Sequence, residues 1–250
     1  MSKWIREFRR RRIRAQPFPE EWCEILAHRV PFVARIPAAR REKFLHDLMI
    51  FEREKTFVGA GGFEVTDEVR VVISAAAVRL VVFLDLGALD RVSEIVIYPS
   101  AYRHPHREGA VLGEVSDWSA VVLSWDDVLE GLRRPHDGHD TATHEFAHVL
   151  DRASGAFNGT PALRARADYG PWGRVLSHHY LAMREPGGVG HSLLRAYAAT
   201  NEAEFFAVAT EMVFERPRLM RRRARDLYDE LRKFYGFDPA EEGEARRATG

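Results

Sequence analysis

The segment His144-Glu145-Phe146-Ala147-His148-Val149-Leu150-Asp151 constrains this chain more tightly than any other stretch. On a helix, Phe146, Val149, Leu150 and Ala153 fall at i, i+3, i+4 and i+7 and form a core-facing stripe. His144, His148 and Asp151 fall on a different face, at i, i+4 and i+7. The fold must therefore bury one side of this helix while two imidazoles point together into one space. Histidines four apart bring two ring nitrogens within reach of a single ion, at about 2.0–2.1 Å from each. Glu145 is rotated off that axis but stays close, where a general base can take a proton from activated water without binding the metal. With 11 histidines in 250 residues, the pattern arises by chance about 0.04 times in such a chain, so it needs a third ligand to carry weight.

The run Ala203–Phe214 supplies two options. Its only charged residues are Glu204 and Glu211, seven apart on one helix face. A carboxylate on a buried helix costs several kcal/mol unless it is paired or bound to a metal. Asn201 followed three residues later by Glu204 also has the form of a capping box. Seven residues are two turns, roughly 10 Å of rise, so both carboxylates cannot reach one ion. The residue pattern leaves open which of them is the ligand. Two histidines and one glutamate, with a fourth position left to water, is the composition of a catalytic zinc site. The remaining glutamate and Asp151 are then expected behind the ligands, accepting the other ring N–H of a histidine or steadying a neighbour. Asp151 reads equally well as a surface or salt-bridge residue. His104 and His106, His136 and His139, and His178 and His179 lack matching spacing and read as loop or surface residues, with His136 and His139 lining the cleft mouth.

The rest of the chain bounds the fold. Strand candidates at 93–99 and 119–125 are short and β-branched, whereas 126–133, 140–153, 161–184, 201–215 and 218–235 read as helices. Upstream, Thr66 can cap a helix running through VRVVISAAAVRLVVFL, apolar nearly all round and hence buried. Further amphipathic stretches lie around Trp22–Val30 and Phe44–Phe51. VGAGGF reads as a turn and lacks the Lys-Ser/Thr ending of a phosphate loop. This distribution predicts an α+β fold, mostly helical with a small central β-sheet.

Charge and cysteine content narrow the setting. The formal net charge is +0, which implies no general attraction to nucleic acid or an anionic membrane. The single cysteine, Cys23, sits among apolar residues and is expected to be a buried thiol in a reducing compartment. No apolar run reaches the roughly 18 residues of a membrane span, and the start lacks a signal-peptide h-region; a cytoplasmic monomer is expected. Residues 1–16, with Lys3, Arg6, Arg9, Arg10, Arg11, Arg12 and Arg14 against only Glu7, are expected to form a flexible, solvated basic arm.

Taken in order, PFPEEW, REKFLHDLMIFEREKTFVGAGGFEVTDEVRVVISAAA, IVIYPSAY, HEFAHVLD, FNGTP, AYAATNEAEFFAVATEMVFERP and LRKFYGFDP resemble the Mlc titration factor A (MtfA) family of zinc metallopeptidases. The resemblance runs from about Pro17 to Pro239. It implies one gluzincin-like zincin domain over 17–239, followed by a tail at 240–250. It also implies one zinc ion held by His144, His148 and Glu204, with Glu145 as base and Tyr197, seven residues before Glu204, as a catalytic tyrosine. By the residues alone, Tyr197 is as easily a core aromatic. With the ligand assigned to Glu204, Glu211 and Asp151 are left to the supporting shell. The family implies peptide substrates, with aminopeptidase-type activity, and an Mlc-like transcription repressor as a partner. The chain departs from the expected pattern at 75–78, where AAAV replaces a more polar run. A regulatory protein that sequesters a repressor without catalysis is the alternative reading.

Overall fold

The computed structural model describes residues 3–100, 119–185 and 193–242. The fold is built around α4 (Asp67–Arg79) and α8 (Glu202–Glu215), the two helices with almost no polar face. Every residue from Val71 to Val78 is buried, as expected of a helix apolar nearly all round. Thr66 caps α4 by accepting the Val69 N–H at 3.4 Å, and Asp67 and Glu68 occupy the first turn, where the helix dipole favours them. Around α4 pack α2 (Glu20–Arg29), α3 (Ala38–Glu54) and α6 (Thr141–Arg152). Helix α4 ends at Arg79, five residues before the apolar run does. Leu80, Val81 and Val82 stay buried in turns, and Lys43 Nζ meets the Val81 carbonyl at 3.2 Å.

Among the described residues the sheet has three parallel strands in the order β1 (Thr56–Gly59), β2 (Glu94–Tyr98), β3 (Ala120–Ser124). Ile95 pairs with Phe57 on one side and Val121 on the other, and all three are buried. Parallel neighbours need a crossover, and α4 lies on the one between β1 and β2. The chain turns out of β1 at Gly61 and Gly62, both at positive φ. The mostly helical α+β class expected from the sequence is what the structure shows, but β1 is new: TFVG is too short to stand out between a helix and a glycine turn.

Other boundaries differ for local reasons. Helix α5 (Trp125–Arg133) agrees with its expected span. The stretch expected as one helix over 161–184 is irregular until Arg166, and α7 runs only from Tyr169 to Arg184. The stretch 218–235 is two helices, α9 (Pro217–Arg223) and α10 (Arg225–Tyr235), broken at Ala224, whose ψ of 68° is not helical. Cys23 is exposed on α2, not buried, because the buried positions of that helix are Trp22 and Leu26. No helix among the described residues is long and apolar enough to cross a membrane.

The basic N-terminal segment, expected as a flexible arm, carries α1 (Lys3–Arg14). Arg10 is buried and donates to Glu54 at 3.0 and 2.6 Å and to Asp90 at 2.5 Å, while Ile13 packs on the core. Charge count alone hid this, because one arginine of the seven cations is turned inward. Arg10→Leu should cost about 3 kcal/mol, the low end for breaking a buried ion pair, since Arg6 still reaches Asp90 at 3.0 Å. Urea unfolding measures it, and a variant within about 0.5 kcal/mol of the parent would mean α1 is not docked in solution.

Candidate metal centre

Helix α6 is capped by Asp140, whose carboxylate accepts the Thr143 N–H at 2.9 Å and the Thr143 hydroxyl at 2.7 Å. The apolar stripe expected from the sequence is buried, with Phe146 edge-on to Phe51 at 5.8 Å. His144 and His148 are 5% and 6% exposed, on the face turned toward α8.

Glu204 meets them there. His144 Nε2 lies 3.0 Å from Glu204 Oε2, His148 Nε2 lies 3.4 Å from the same oxygen, and the two Nε2 atoms are 3.2 Å apart. These three form a group able to hold a metal ion. Ligand atoms at about 2.0–2.1 Å from a tetrahedral ion stand about 3.3 Å from one another, so the spacings fit an ion without movement of the backbone. The electrostatics point the same way. Burial opposes a charged His144, but its hydrogen bonds to Glu204 and Glu211 outweigh that and push its pKa up to about 9. Burial likewise opposes the Glu204 carboxylate, yet the two histidines hold it far below the usual range. Two imidazole nitrogens and a carboxylate converging in a half-dry space favour a cation at their centre.

Glu211 stands one layer behind. It is 1% exposed, and its Oε1 accepts His144 Nδ1–H at 2.7 Å and also pairs with Arg195. Its Oε2 accepts the Asp140 backbone N–H at 2.8 Å. With Nδ1 turned to Glu211, Nε2 is the ring nitrogen that His144 presents to the centre. Of the roles expected for Asp151, holding a ring N–H or steadying a neighbour, its described contact is of the second kind. Its described hydrogen bond is with the Gly159 N–H, at 2.8 Å, and among the described residues neither Asp151 Oδ1 nor His148 Nδ1 has a hydrogen-bond partner. Asp151 therefore steadies the 156–160 loop. Gly159 is required in that loop: its φ is 73°, and a Cβ there would stand 2.3 Å from the Glu202 carbonyl.

Glu145 is half-buried on α6 beside the ligands. Tyr197, in the turn Ala196–Ala199, is half-buried with its ring 6.0 Å from that of His144. Phe157, 40% exposed, places its ring 5.3 Å from His148 and forms an apolar rim that the sequence reading missed. Arg195 was also missed, and no spacing marks it. Asp140 was legible in principle as an Asp immediately before the helix. Of the paired histidines, His139 Nδ1 accepts from Arg195 at 3.1 Å, whereas His136 turns to Glu215, its backbone N–H 2.6 Å from Oε2. His178 and His179 are surface residues of α7, as expected, with His179 paired to Asp226 at 2.8 Å. His104 and His106 fall outside the described residues.

Comparison with known proteins agrees with this geometry. Residues 5–236 match the model of the family described as Glucose-regulated metallo-peptidase M90. An uncharacterized protein of Synechocystis sp. is 33% identical over 249 residues, covering 94% of this chain and 90% of that protein. Mlc titration factor A of Edwardsiella ictaluri is 28% identical, covering 90% of each chain. Its counterpart in Yersinia pestis is also 28% identical, covering 88% of this chain and 85% of that protein.

The two glutamates predict opposite outcomes. Glu204→Ala strips the cluster to two histidines and should abolish stoichiometric metal. Glu211→Ala leaves all three converging groups and should weaken metal affinity about 10- to 100-fold. Metal content after dialysis against a weak chelator reads both, and a Glu211→Ala protein that loses metal outright while Glu204→Ala keeps it would reverse the assignment.

Proposed function

The chain belongs to the Glucose-regulated metallo-peptidase M90 family, and from that premise we propose that it is a zinc-dependent peptidase whose catalytic domain spans 17–239. The observation that carries this reading is the convergence of His144 Nε2, His148 Nε2 and Glu204 Oε2 within 3.0–3.4 Å. Family membership implies a metal ion, and the His-His-Glu donor set suits zinc better than an oxygen-preferring cation. One zinc ion per chain would be held by these three side chains and would supply Lewis-acid activation of water and of the peptide carbonyl.

The protein's own groups divide the remaining work. Glu145, next to the first ligand but not one itself, accepts the proton of the attacking water and passes it to the departing amine. Tyr197 donates its phenolic O–H to the oxygen on which negative charge develops. Glu211 and Arg195 hold the His144 ring in place, and Asp151 holds the loop that carries Phe157. Phe157 offers an apolar wall to a substrate side chain. The substrate class is peptides, with aminopeptidase-type cleavage as the more specific proposal, in a cytoplasmic monomer.

A second reading rests on the relatives named Mlc titration factor A, 28% identical over about nine-tenths of the chain. Binding of an Mlc-like transcription repressor is compatible with peptidase activity, and it is the whole function if the peptidase activity is absent. A pull-down with such a repressor beside a peptide assay separates the two.

Glu145→Gln should keep metal and lose most hydrolysis of short peptides. Equal rates in parent and variant at matched metal loading would remove this mechanism. Tyr197→Phe retains the ring, so folding and metal content should hold while kcat falls by about 10²–10³, the usual loss for one oxyanion donor. An unchanged kcat with lowered stability would make Tyr197 a core residue. Substrates with free and with blocked N-termini, run in parallel, test the aminopeptidase assignment.

A further inference from the structure

A sizeable cavity lies away from the metal cluster. It measures about 770 Å³ and opens between the Pro31–Arg35 turn, the segment that follows α4, and the start of α9. Ligand pockets have volumes of about 300–1,000 Å³. Glu215, on its wall, lies eleven residues beyond Glu204 on α8, or about 16 Å along the helix. The two sites are therefore separate.

The walls combine two chemistries. Phe32, Phe83, Phe214 and Phe237 supply aromatic surface, with Phe83 and Phe237 stacked at 5.0 Å. Arg35, Arg79, Arg216, Arg218 and Arg222 line the same space against a single carboxylate, Glu215. That carboxylate is already committed. It accepts from Arg79 at 3.4 and 3.5 Å and from the His136 N–H at 2.6 Å. Arg79 is held further by Asp140 at 3.1 Å and lies over the rings of Phe32 and Phe214.

The surplus is therefore cationic. Among the described residues, the side chains of Arg35 and Arg222 make no hydrogen bond or ion pair. Arg35 is half-buried. Burial and the neighbouring Arg79 pull its guanidinium below the ordinary value, against a smaller opposing pull from Glu215. A cation kept partly out of water beside another cation is relieved by an arriving anion, and a guanidinium fork matches an oxyanion in two hydrogen bonds.

We propose that this cavity is a second ligand site, which takes a small organic anion. Its oxyanion head sits on Arg35 and Arg222, and its apolar or aromatic body lies against Phe83 and Phe237. The inference does not depend on the peptidase reading. It has a structural consequence for it, because Arg79 lines the cavity and also holds Asp140, the cap of the helix that carries His144 and His148. An anion in the cavity presents that guanidinium with a competing acceptor.

Calorimetric titration of the full metal-loaded chain with phenyl phosphate tests the site, with phenol and inorganic phosphate titrated separately. The expected result is saturable binding of phenyl phosphate at one site, at least about tenfold tighter than phenol, which lacks the charge, or inorganic phosphate, which lacks the body. Arg35→Gln with Arg222→Gln should weaken phenyl phosphate by at least about tenfold. Neither residue is in the metal cluster, so metal content and melting temperature should stay at the parent values. If that double variant folds poorly, Arg35→Lys with Arg222→Lys keeps the charge but loses the guanidinium fork and should bind phenyl phosphate more weakly than the parent. Phe83→Ala, with the arginines intact, should lose the advantage of phenyl phosphate over inorganic phosphate. Equal binding by parent and double Gln variant would place the anion elsewhere, at the metal above all, and would overturn the proposal. Absence of saturable binding, or inorganic phosphate matching phenyl phosphate, would overturn it as well.

Discussion

The buried carboxylate of Glu211 is the constraint on which the rest of the site depends. At 1% exposure it would cost several kcal/mol if left without partners. Its partners come from three places in the chain: the His144 ring from within α6, the Asp140 N–H from the start of α6, and Arg195 from the segment before α8. A one-residue slip of α6 against α8 would leave these donors and this acceptor unmatched in a dry interior. Apolar packing brings the two helices together, as it would for many registers, but the hydrogen bonds of Glu211 select one. That register is the one in which His144, His148 and Glu204 converge.

A second buried ion pair extends the same logic to α4. Arg79, the last residue of that helix, donates to Asp140 at 3.1 Å and to the Phe214 carbonyl at 3.2 Å. It thereby ties α4 to the cap of α6 and to the end of α8. Asp140 thus serves three partners, as helix cap to Thr143, as acceptor for Arg79, and through its N–H as donor to Glu211.

How much of this was legible in the sequence follows from how local each signal is. Helices α6 and α8 were legible because their periodicity and their isolated polar residues are visible within a dozen positions. The three converging side chains were legible for the same reason, although choosing Glu204 over Glu211 took a family resemblance. Partners across the fold were not legible. Arg195 and Arg79 have ordinary neighbours in sequence and acquire their roles only when α4, α6 and α8 are stacked. Arg10 was hidden among like charges, and β1 was hidden by its length. Asp151 was placed on the right face of α6, but its hydrogen bond goes to a loop whose path depends on Gly159 and the backbone of Glu202.

The two glutamates of α8 show why one helix face can carry unlike chemistry seven residues apart. Glu204 lies in the first turn, where the backbone N–H groups and the helix dipole favour a negative charge. Its own N–H is capped by Asn201 Oδ1 at 2.9 Å. The capping arrangement and the ligand geometry are therefore compatible: Asn201 uses the backbone of Glu204 and leaves its carboxylate for the histidines. Glu211 lies two turns deeper, 1% exposed and away from the dipole end, and three donors surround it there. A carboxylate with that many protein donors has little capacity left for an ion, whereas Glu204 has histidines for its described side-chain partners. Position along the helix, set by where the chain enters it, thus assigns one glutamate to the centre and the other to its support.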